Sequence, residues 1–78
     1  LIYGEVPRAT NEEAAGYFQK AIALNPGRIG NHVELGRTCL ALRDSAKAKA
    51  EFAKALALPD REKEDPESKR RARAALAQ

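Results

Sequence analysis

Two side chains here could ligate a metal or attack a substrate, and helical spacing puts them on one face. His32 and Cys39 stand seven residues apart, which is two turns of helix. A metal site takes three or four such ligands, and the chain holds one histidine and one cysteine in all. Two turns separate the pair by about 10 Å, too far for the Cys-His hydrogen bond that activates a thiol nucleophile. They read as a packed histidine and a buried thiol. No paired carboxylates in a defined pocket, no phosphate loop and no triad offer a start for catalysis. The chain is read as non-enzymatic, with no metal and no cofactor.

The second chemical feature is basic. Lys69, Arg70, Arg71 and Arg73 put four cations into five residues, enough to meet nucleic acid, a lipid headgroup or an acidic protein tail. Asp60, Glu62, Glu64, Asp65 and Glu67 offset that charge just upstream. No aromatic side chain lies nearby to stack on bases, which disfavours nucleic acid. Over the whole chain the net charge is +3, with both signs interspersed, a normal soluble surface. Cys39 cannot form an intrachain disulfide. No run approaches the 18 or so apolar residues of a membrane span, and no signal peptide is visible. These features favour a soluble, cytoplasmic location. The chain opens on Leu1 and has no methionine, so an earlier N-terminal segment, with any targeting signal, is expected to have been removed.

The elements that must carry these groups are helices. Sixteen alanines make the chain helix-prone but thinly cored. Thr10 and Glu13 form a capping box that opens a helix over Asn11–Leu24, and Asn25-Pro26-Gly27 closes it, with Gly27 available for positive φ. A second helix is predicted from Ile29 to Leu42, a tight turn at Arg43-Asp44, and a third helix from an Asp44 or Ser45 cap to Leu58. Asp65 as cap and Pro66 in the first turn start a last helix that ends near Ala77.

The chain also repeats itself. Phe52-Ala53-Lys54-Ala55-Leu56-Ala57-Leu58 echoes Phe18-Gln19-Lys20-Ala21-Ile22-Ala23-Leu24 after 34 residues, and Ala48 echoes Ala14. On the third helix Ala48, Phe52, Ala55 and Leu56 form one stripe that can pack on the second helix. Ala46, Ala50, Ala53 and Ala57 form another that admits a close neighbour. Gly36 lets the facing helix approach, with Ala48 as its small partner and Phe52 filling the remaining volume.

A 34-residue helical period is the signature of the tetratricopeptide repeat. Leu35, Gly36, Ala48, Phe52 and Ala55 resemble that family's Leu, Gly, Ala, Phe and Ala, and Ala14, Phe18 and Ala21 repeat the later positions. His32 and Cys39 stand where the family often has Trp and Tyr. The resemblance implies an all-α antiparallel helix-turn-helix solenoid of about four helices. Residues 1–10 would be the tail of a preceding element and 11–28 the second helix of an incomplete repeat. Residues 29–60 would form a complete repeat, and 61–78 a linker with a capping helix.

A narrower resemblance is to the regulator of microtubule dynamics family. It rests on Pro7-Arg8-Ala9-Thr10, Asn25-Pro26, and Ala55-Leu56-Ala57-Leu58-Pro59-Asp60 followed by Glu64-Asp65. Animal members of that family are associated with microtubules and organelle membranes; the alanine-rich composition here looks more like a prokaryotic relative.

Tetratricopeptide proteins usually bind ligands on the concave face, which carried over here means Gly30, Val33, Arg37 and Ala41. The clamp for C-terminal carboxylates uses Lys and Asn where this chain has Val33 and Arg37, so that clamp is not implied. The leading expectation is a scaffold that holds a peptide or partner protein on this face. The alternatives are an anionic surface bound through the basic helix, or a purely structural C-terminal cap. With its own repeat incomplete, the first helix is expected to leave Ala14, Phe18, Ala21 and Ile22 short of partners and to invite self-association.

Overall fold

The computed structural model describes residues 10–78. The expectation for residues 1–9 therefore lies outside the described residues. The rest is all-α: α1 (Asn11–Leu24), α2 (Ile29–Ala41), α3 (Ser45–Ala57) and α4 (Asp65–Leu76), with no strand among the described residues. Helix α2 is central. It packs against α1, α3 and α4, and α4 also rests on α3. The arrangement is that of a helical-repeat protein.

The helix starts follow from the sequence with one exception. Thr10 accepts from the Glu13 amide at 3.1 Å while the Glu13 carboxylate accepts from the Thr10 amide at 2.9 Å, so the capping box is complete. Asp44 caps α3 by accepting from the Lys47 amide. The exception is Asp65, which lies inside the first turn of α4 and does not cap it. Its carboxylate Oδ2 instead accepts from the amides of Arg61 and Glu62, both at 2.7 Å, and so pins the linker to the helix. The side chain is buried.

Those amide bonds, Glu62 first and Arg61 second, hold the Asp65 carboxyl below the usual carboxylate range against the opposing effect of burial; Lys69 and Arg28 assist. A depressed folded value means stability that is present above the unfolded value, near pH 4, and lost as pH falls through the folded one. Asp65→Asn is therefore expected to lower Tm at neutral pH. It should also flatten the acid limb of a Tm-against-pH series, which calorimetry measures directly.

The α2–α3 turn holds a feature the sequence does not advertise. Arg43 sits at φ 62°, the only residue with positive φ among those described. Its amide bonds to the Leu40 carbonyl at 3.0 Å and the Asp44 amide to the Cys39 carbonyl at 2.9 Å. This is the Schellman closure of a helix, whose left-handed position ordinarily belongs to glycine. Arg43→Gly removes a strain of about 1 kcal/mol and should raise Tm by roughly 4–8 °C in a chain this small. A thermal melt of the exposed substitution checks it. The glycine placed by sequence in the other turn, Gly27, has no positive φ. What that position uses is room: a β-carbon there would lie 2.8 Å from the Arg61 guanidinium.

The core consists of Ile29, Val33, Leu35, Cys39, Ala48, Phe52, Ala55 and Ala72. Of the first stripe of α3, Ala48, Phe52 and Ala55 are thus inside, and Leu56 is half-buried against them. Gly36 meets the Phe52 ring: a β-carbon there would sit 2.6 Å from it. The second stripe, Ala46, Ala50, Ala53 and Ala57, is exposed. Helix α1 contributes no fully buried residue. Ala14, Phe18, Ala21 and Ile22 are all half-buried, and Phe18 and Ile22 lean on the core together with Ala15. Tyr17 and Leu24 face outward.

Candidate functional site

Helices α2 and α4 run side by side in the same direction, because their first turns and their last turns meet each other. Gly30, Asn31 and Glu34 share a depression of about 320 Å³ with Glu62, Glu64, Asp65, Glu67 and Ser68. Further along, Arg37 and Leu40 share an open groove of about 470 Å³ with Ala74, Ala75 and Gln78. Arg71 lines both spaces and joins them into one furrow.

Of the four predicted face residues, Gly30 and Arg37 line this furrow. Val33 does not: it is 2% exposed and belongs to the core, so no partner can touch it. Ala41 is exposed but stands outside the furrow lining. Leu40, an apolar residue on the same helix, is 45% exposed and forms part of the groove wall. The signal was present, since Leu40 follows Arg37 by three residues and shares its helix face.

The basic patch is mostly paired. Lys69 reaches Asp60 at 2.9 Å, crossing back to the end of the linker. Arg70 and Arg71 both bond Glu67, at 3.0 and 3.7 Å, and Arg37 bonds Glu34 at 3.6 Å. These pairs on helix surfaces, the arginine side chains more than half exposed, are worth little and break readily for a ligand. Arg73 makes no ion pair among the described residues.

The structure does not bring His32 and Cys39 together as a reactive pair. His32 is buried, with Nε2 2.8 Å from the Pro26 carbonyl and Nδ1 2.9 Å from the Glu51 carboxylate. A carbonyl only accepts, so Nε2 donates to it. With both nitrogens engaged, the ring has no free lone pair for a metal. Burial pushes the Cys39 thiol up, Asp44 and Glu51 add to the effect, and Lys47 opposes it. The sulfur is held as a thiol, the unreactive form. Among the described residues no three His, Cys, Asp or Glu side chains are grouped to hold a metal ion, and no helix is long and apolar enough to cross a membrane.

Three helices packed around α2, with an open furrow along one side, define an all-α protein of the helical-repeat kind. The chain belongs to the regulator of microtubule dynamics family: the family described as regulator of microtubule dynamics protein 1-3 matches residues 1–78. No curated protein and no solved structure matches the chain.

Proposed function

We propose that this chain is a non-catalytic interaction module of the tetratricopeptide type, from a prokaryotic branch of its family, that holds a peptide or partner protein in the α2–α4 furrow. The observation that carries the reading is Leu40. It supplies an apolar wall, 45% exposed, in the open groove that Arg37 and Arg71 also line, where a partner's apolar side chain can be buried between charged ones. The bonded ring of His32 and the buried thiol of Cys39 support the non-catalytic part.

The test is a peptide array probed with the labelled chain, followed by titration of the hits against Arg37→Ala and Leu40→Asp. Both substitutions are on exposed side chains, and each should weaken binding about ten-fold, or 1.4 kcal/mol. Hits that ignore both variants would remove the furrow as the site.

A second reading has its own observation. The Arg70 side chain is 77% exposed, and Arg73 beside it makes no ion pair among the described residues. Binding of an anionic surface through this face would disappear with Arg70→Ala and Arg73→Ala and show a steep salt slope. A chain that only caps a longer repeat array would show neither effect. Self-association through α1 rests on exposed Tyr17 and Leu24. Light scattering that finds a monomer at every concentration would exclude it.

A further inference from the structure

The furrow is electrically polarised along its length. Its first half, beside the starts of α2 and α4, is lined by Glu34, Glu62, Glu64 and Glu67 against Arg28 as the cation at that end. Its second half is lined by Arg37 and no acidic residue, with Leu40, Ala74 and Ala75 supplying apolar surface. Arg71 stands at the boundary. The polarity follows from placement: on α4 Asp65 and Glu67 stand in the first turn and the arginines in later ones, the linker adds Glu62 and Glu64 at that end, and on α2 Glu34 precedes Arg37. The helix dipole favours that order on α4. Because α2 and α4 run parallel, the two gradients add across the furrow instead of cancelling.

We infer that the furrow takes a bipolar segment of a partner protein, basic at one end, apolar in the middle and acidic at the other. This rests on the reading of the furrow as the binding site and names the chemistry of its occupant. The partner's cations lie against Glu62, Glu64 and Glu67 at the start of α4. Its apolar side chain meets Leu40 and Ala75, and its carboxylates displace Glu34 and Glu67 from Arg37 and Arg71. Glu34 and Glu67 lose little in that exchange, since their own pairs with Arg37 and Arg71 are 3.6 and 3.7 Å long and open to solvent. Gly30 to Leu40 spans about 15 Å of helix, which five or so extended residues cover. Charge complementarity of this kind selects among partners and fixes which way round they lie. A uniformly acidic segment meets repulsion over the first half, and a uniformly basic one gains nothing from the second.

Three synthetic nine-residue peptides test the proposal against the full 78-residue chain at fixed salt. One carries two lysines, an apolar centre and two glutamates; one carries only glutamates around that centre; one carries only lysines. Backbone NMR titration gives both the affinity and the place of binding. The expected result is tightest binding of the bipolar peptide, with shifts around Gly30 and Leu40. Arg37→Glu and Glu64→Lys should each weaken it by about ten-fold, and Glu64→Lys should strengthen the acidic peptide. Both side chains are exposed, and unchanged melts would confirm that both variants fold.

Equal binding of the acidic and bipolar peptides in the furrow, insensitive to Glu64→Lys, would overturn the polarity while leaving the furrow as the site. Shifts confined to Arg70 and Arg73, or no shifts from any of the three, would overturn both.

Discussion

Phe52→Ala is expected to remove roughly half of the chain's stability. The ring is 1% exposed and is the largest fully buried side chain among the described residues. It is also the surface against which Gly36 brings α2. Removing a buried phenylalanine costs about 3–5 kcal/mol once the cavity is counted. A domain of this size has only roughly 4–10 kcal/mol in total. The core offers little to close the gap, since three of its eight members are alanines with no side chain to swing inward. A urea titration followed by circular dichroism measures the loss, and a midpoint within error of the parent chain would refute it.

Gly36→Ala tests the same contact from the other side. The added methyl gains about 1 kcal/mol of helix propensity. It also lands 2.6 Å from a ring that the core holds in place. Overpacking of this kind costs roughly 1–3 kcal/mol, so the net change should be destabilising. A smaller residue at position 52 should relieve the clash, and the two substitutions should then be strongly non-additive.

The second large effect is at His32. This one ring ties the α1–α2 turn, through the Pro26 carbonyl, to α3, through Glu51. Among the described residues no other side chain hydrogen-bonds both a turn and a neighbouring helix. His32→Ala removes two bonds, one of them to a carboxylate whose side chain is only 12% exposed. Hydrogen bonds to charged groups contribute about 1.5–3 kcal/mol, and the abandoned partner keeps its desolvation penalty. A loss of about 2–3 kcal/mol is expected. Hydrogen exchange should show the amides of α1 opening first, because among the described helices α1 packs only on α2. Lys54 still holds Glu51 at 3.3 Å, so part of the carboxylate's compensation survives. Uniform protection across α1 in the variant would show that Pro26 is held by other means.

Helix spacing made most of the core legible. Ala48, Phe52 and Ala55 recur at three- and four-residue intervals, and a helix with such a stripe must bury it. The capping box was equally plain, because both of its bonds are local to four residues. Asp65 was misassigned because a carboxylate near a helix start normally caps that helix; only the path of the linker puts the Arg61 and Glu62 amides within its reach.

The groove was half legible. Arg37 and Gly30 follow from helix-face arithmetic, but that arithmetic also offered Val33, which the packed interior takes. What covers a residue on a helix depends on the neighbouring helix, and that depends on distant sequence.

By itself, then, the sequence determined the four helices, their ends to within a residue, and the side of α3 that must be buried. These depend on backbone bonds, caps and periodicity within a few residues of one another. The tertiary structure alone decided that Val33 is inside and Leu40 outside, that Asp65 holds the linker, and that α2 and α4 lie parallel. The last of these turns two ordinary charge gradients into one polarised furrow. Such facts come from contacts between residues far apart in the chain, for which a single sequence carries no local signal.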